Sequence, residues 1–223
     1  MGLDMRPMGK PKAGFEKRFV ELHEMLSNNN IPQPSLLDQL KGKKFLTEEE
    51  LLEEWFAIQI PSYETIKAPQ VGINKEADEW VKSKYQELED KPPFDTFFNE
   101  FAEYYVIELA KEQEGIPVYI SIGQDENVFR GQFLQDCEEL IGEELVSEAW
   151  NTKLADETLD YGKRLMNIAD KLAQQNNLEY LKNQKFPPET NEDTIESKLH
   201  IIFSLAKWLI FYGKNGHGYE ADY

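Results

Sequence analysis

The sequence predicts a mainly α protein: a single helical domain with a small β element near residues 104–122. Two patterns lead to that class. Apolar residues recur at helical spacing over most of the chain, and helix start and stop residues flank those stretches. The composition allows it: 40% apolar residues, 13 glycines and aromatics along the whole length are enough for a core in 223 residues.

Residues 1–14, MGLDMRPMGKPKAG, hold two prolines, three glycines and three bases. They read as a flexible basic arm, leaving 15–223 as the domain. The alternative is an arm that docks on the body or on a partner. Phe15, Phe19, Leu22 and Leu26 then mark a helix, stopped by NNN at 28–30 and by the IPQP after it. Thr47 followed by Glu50 is a capping box, in which each side chain satisfies an orphan backbone N–H. The helix it opens runs to about Ile58, and Pro61 closes it. Another helix spans about Asn74 to Leu88, with Trp80, Tyr85 and Leu88 near one side. KPP at 91–93 interrupts, and Asp95 is placed to cap the next segment.

The middle of the chain reads two ways. YYVIELA (104–110) and IPVYISI (116–122) are rich in β-branched and aromatic residues, as in two short strands. Phe97, Phe101, Tyr105 and Leu109 also fit a single helix. Beyond Val128, an apolar stripe joins Phe129, Phe133, Cys137, Leu140, Ile141 and Leu145, with Gly142 as a break between two helices. A second stripe joins Leu154, Tyr161, Leu165, Ile168 and Leu172; FPP at 186–188 ends that region. The last helix covers about 193–212. It is apolar nearly all round, the mark of a central core helix or an oligomer contact. Gly213 reads as its left-handed terminal residue. The GHG tail beyond it either frays or folds back to place His217 in a cleft.

Charge narrows the function. With 42 acids against 24 bases the net charge is −18. A phosphate backbone or an anionic membrane would repel such a chain, so neither nucleic acid nor membrane is an expected partner. MGLDMRPMGK lacks the apolar segment of a signal peptide. One cysteine forms no internal disulfide, which fits a cytoplasmic setting. No P-loop, C-x-x-C, H-E-x-x-H or G-x-S-x-G is present.

The remaining candidates are scattered. Residues 134–160 hold nine acids and one base. Asp136, Glu139 and Glu143 share the spacing of one helix face, and Glu157 and Asp160 form E-x-x-D further on. They read as a solvated face or as ligands for a divalent cation. Cys137, on an apolar stripe beside Asp136 and Glu138, reads as a buried structural cysteine. His200 reads as a core histidine and His23 as a surface one. Arg130 reads either as an internal ion pair, for example with a glutamate of the acidic helix, or as a clamp for an anion. The leading expectation is a non-enzymatic interaction protein, presenting an acidic helical surface to a basic protein or to a second copy of itself. The alternative is an enzyme or small anionic-ligand binder. Its cleft would lie between the 123–133 insert and the C-terminal GHG tail, with Arg130 and His217 as working groups. No cofactor is implied.

Overall fold

The computed structural model describes residues 2–27, 46–111, 127–189 and 193–223. The protein is mainly α with a few short strands. It divides into two compact units, one of Met1–Met8 with Ser62–Tyr223 and one of Gly9–Pro61.

In the smaller unit, β2 (Lys10–Pro11) pairs antiparallel with β3 (Gln59–Ile60), and α1 (Glu16–Ser27) packs on α2 (Glu48–Ala57). The Thr47 capping box forms: Glu50 N donates to Thr47 Oγ1 at 3.2 Å, and Thr47 N to Glu50 Oε2 at 2.9 Å. A ring stack and an ion pair are among the contacts that join the helices. Phe19 stacks on Trp55 with ring centroids 4.4 Å apart, and Arg18 reaches Glu54 with a two-pronged guanidinium–carboxylate pair of 2.6 and 2.8 Å. The helix stop expected at 28–34 lies outside the described residues.

The core of the larger unit is α8 (Ala155–Asn176) against α9 (Ile195–Lys214). Helix α8 is amphipathic and buries Tyr161, Leu165, Ala169 and Ala173, each four residues on from the last. Helix α9 is buried on nearly every side. Thr194 caps it by accepting from Ser197 N, and Trp208, Leu209 and Tyr212 have no exposed surface. Ahead of the pair come β4 (Phe129–Arg130), a 3₁₀ helix (Gly131–Cys137), α6 (Glu138–Ile141) and α7 (Glu143–Glu148). Gly142, at φ 84°, makes the break that the sequence predicts.

Residues 62–111 hold α3 (Ser62–Thr65), α4 (Lys75–Glu87) and α5 (Phe94–Glu100); α4 and α5 gather around Trp80, Phe97, Phe101 and Tyr104, while Tyr63 of α3 packs on the cluster of Ile66 and Ile107. Neither reading of 104–110 describes the structure that forms there. Tyr105 makes an isolated bridge to Gln70, and Ile107–Leu109 is a 3₁₀ turn. The apolar side chains that suggested a strand are instead used for packing: Val106 and Ile107 are fully buried. The expected strand at 116–122 lies outside the described residues.

The N-terminal segment is not a loose arm. β1 (Asp4–Pro7) is the central strand of a three-stranded antiparallel sheet, in the order β4-β1-β5, with β5 at Tyr219–Asp222. Leu3 and Met5 alternate inward and are fully buried, so their burial outweighs the proline and glycine content of the segment.

Gly213 is also corrected. It lies within α9, and the left-handed residue is Gly216, at φ 85°. Gly213 is small because α8 crosses there: a Cβ would meet the Leu159 backbone nitrogen at 2.7 Å. Gly162 is the reciprocal contact, where a Cβ would come within 2.8 Å of Leu209 Cβ and 3.0 Å of the Ile210 backbone nitrogen. A helical Gly→Ala change ordinarily gains about 1 kcal/mol. Here overpacking reverses the sign, and Gly213→Ala is expected to lose about 1–2 kcal/mol net. A chemical-denaturation midpoint checks this; a raised midpoint would show that the crossing yields without cost.

Candidate functional site

A cluster of charged side chains surrounds Glu148, at the C-terminal end of α7. Lys153 enters from the connection to α8, where its backbone exchanges two hydrogen bonds with Tyr219, 3.0 and 2.9 Å. Gly218 permits that approach: a Cβ there would fall 2.1 Å from Lys153 O. Asp160 and Arg164 come from one face of α8. Lys153 Nζ lies 3.0 Å from Glu148 Oε1, and Arg164 Nη1 donates to Oε2 at 2.7 Å while Nη2 donates to Oε1. Arg164 Nε reaches Asp160 Oδ2 at 2.8 Å. Both cations lie 5.5 Å from the centre of the Tyr161 ring. The Tyr161 hydroxyl donates to Leu145 O at 2.6 Å.

Glu148, Lys153, Asp160 and Arg164, with Asp156 and Glu157, line an open cleft of about 410 Å³. Its electrostatics are those of a closed pair. The Arg164 hydrogen bond, aided by Lys153, holds Glu148 below the usual carboxylate range against the opposing effect of burial. Arg164 is correspondingly raised, chiefly by its bond to Glu148. Burial pushes the phenols of Tyr161 and Tyr219 upward. One carboxylate thus engages both cations, and the arrangement acts as a brace between α7, α8 and β5.

Of the acids proposed as metal ligands, Glu157 and Asp160 line this cleft, and the other three lie apart from it. Asp136 lies in the 3₁₀ helix, Glu139 in α6 and Glu143 in the first turn of α7, and the turn at Gly142 takes them off a common helix face. Lys198 Nζ donates to Glu139 at 2.7 Å. Glu157 accepts from Leu154 N at 3.1 Å and so caps α8, and Asp160 is engaged by Arg164. Among the described residues, no group of three or more His, Cys, Asp or Glu side chains is placed to hold a metal ion.

Arg130 and His217 are not brought together. Arg130 Nε sits 3.0 Å from Asp4 Oδ1, at the start of β1. It is an ion pair, but with the N-terminal strand rather than with the acidic helices. His217 is fully buried, with Nδ1 2.9 Å from Met8 O and Nε2 2.9 Å from Thr65 Oγ1. Asp4 and Met8 are four residues apart along extended chain, a span of about 13 Å. His217 therefore ties the GHG tail to the end of β1 and to α3, and the tail leads into strand β5. Of the proposed 123–133 insert, only 127–133 is among the described residues.

The other candidates are structural. Cys137 is fully buried, donates to Lys198 O at 3.5 Å, and is pushed up to about 12, first by burial and then by Asp136. His200 Nε2 lies 3.2 Å from Gln184 O, and desolvation lowers its pKa. His23 is half-buried, its ring centroid 6.1 Å from that of Trp55. Sequence reasoning did not single out Glu148, Lys153 or Arg164. Two signals were present: Lys153 is the one base among nine acids at 134–160, and Asp160-x-x-x-Arg164 has the spacing of a helical ion pair.

No known family matches the chain, and no curated protein or solved structure is detectably similar to it.

Because Glu148 has a depressed pKa, its stabilisation is fully present above the unfolded carboxylate pKa, about 4.3. It is lost as pH falls through the lower folded value. Glu148→Gln is expected to cost about 1–3 kcal/mol near neutral pH, since it leaves buried Lys153 without its counter-charge. The deficit should shrink below about pH 4. Urea titrations at several pH values check this, and a deficit independent of pH would show that packing rather than charge makes the difference.

Proposed function

We infer that the protein is a non-enzymatic interaction module whose acidic helical surface, built from several short elements over 134–160, docks a basic protein partner. The observation that carries this reading is the sorting of charge within that stretch. Eight of its nine acids are exposed, while its one base, Lys153, is buried against Glu148. Positive charge is thus turned inward and negative charge outward, giving a potential that attracts cations and steers basic partners toward the face. The brace around Glu148 keeps the underlying helices in place, so the carboxylates are presented on fixed elements. No described helix is long and apolar enough to cross a membrane.

A lysine-rich peptide is the direct probe. Its affinity should fall steeply with added salt. Reversing exposed Glu138, Glu143 and Glu144 to lysine should weaken binding about tenfold or more, because each lost contact adds a repulsion. The control reverses exposed Glu76, Glu89 and Asp90 to lysine, an equal change in net charge on and beyond α4. Calorimetric titration compares the two. If both triple variants weaken binding equally, net charge alone is responsible and the face has no special role.

A further inference from the structure

The chain contains one Asn-Gly pair, Asn215–Gly216, and the fold places it at the last turn of α9, just before the buried tail. Such a pair can modify itself. With no side chain at Gly216, its backbone nitrogen can approach the Asn215 side-chain carbonyl carbon with little hindrance. A bond forms between that nitrogen and Cγ, the Cγ–Nδ2 bond breaks, and the amide leaves as ammonia carrying the proton from the Gly216 nitrogen. Water then opens the five-membered imide at either carbonyl. The product is aspartate, or its isomer with the main chain routed through the side-chain carbon.

In the folded chain, both reacting groups are held. The attacking Gly216 N–H donates to Gly213 O at 3.1 Å, and the departing Asn215 Nδ2 donates to Phe211 O at 2.9 Å. The Asn215 backbone N–H is shared between Phe211 O and Tyr212 O, and His217 N donates to Tyr212 O. Attack therefore requires the final turn of α9 to open first.

The product does not fit the closed geometry. Aspartate puts a carboxylate against the Phe211 carbonyl, acceptor facing acceptor, at the negative end of the helix. The isomer lengthens the main chain by one methylene two residues before fully buried His217. Gly218 comes next, held against Lys153 O with no room for a Cβ. A register change there is transmitted directly to β5. We propose that Asn215–Gly216 is a latent self-modification site: hydrogen bonds of the last turn of α9 protect it, fraying of that turn exposes it to deamidation, and conversion undocks the C-terminal strand from the sheet.

The test incubates the whole protein at mildly alkaline pH, in buffer and in urea, and follows residue 215 by peptide mapping that separates aspartate from its isomer. Conversion in urea should be ready, and in buffer slower by about tenfold or more, the factor set by how rarely the turn opens. Equal rates in the two conditions would overturn the protection. In urea, where folding plays no part, Gly216→Ala should slow conversion sharply; no change would rule out attack by the Gly216 nitrogen. Finally, the converted chain is isolated and the hydrogen exchange of its β5 amides measured. Faster exchange than in the unconverted chain is expected, and unchanged exchange would overturn the undocking.

Discussion

An apolar helix has to be enclosed, and α9 sets that requirement for the larger unit. With Ile202, Phe203, Leu205, Trp208 and Leu209 distributed around its circumference, no face of it can be given to water without loss. Helix α8 covers one side, at a crossing so close that Gly162 and Gly213 are required. The 3₁₀ helices at 131–137 and 179–183 cover others. The sheet closes the rest: Trp208 meets Phe129 of β4 and Tyr219 of β5. Phe211 packs on the cluster around Ile66 and Ile107, which links residues 62–111 to the same helix.

Charge is arranged around that core. A chain with 18 more acids than bases repels itself when compact. The bases offset this at specific joints: Arg6 with Asp222 and Arg130 with Asp4 across the sheet, Lys198 with Glu139 between α9 and α6, and Lys182 with Asp170 beside α8. Lys153 and Arg164 meet on Glu148. With these cations engaged in ion pairs, the exposed acids of 134–160 outnumber the one base of that stretch, and such a surplus is the property an acidic docking surface requires.

Much of the helical framework was legible in the sequence because its determinants are local. The Thr47–Glu50 box satisfies backbone groups three residues away, the Gly142 break interrupts one turn, and the stripe of Leu154, Tyr161, Leu165, Ile168 and Leu172 recurs at helical spacing. The candidate site was less legible. Glu148 depends on a lysine five residues on and an arginine sixteen on, and Tyr219 must come from the far end of the chain to position that lysine. The N-terminal segment was misread for a related reason: its composition suggests a loop, whereas Leu3 and Met5 gain stability only by joining the core that holds Trp208 and Tyr219.

The helical class, the ends of helices such as α2 and α4 and the acidic character were legible from the residues alone, because periodicity, caps and composition act over a few residues or over the chain as a sum. The strand role of residues 4–7, the burial of His217, the separation of His217 from Arg130 and the closure of charge around Glu148 emerge only in the folded chain. Each of those depends on partners distant in the chain, and their interaction free energy arises only when folding removes water from between them.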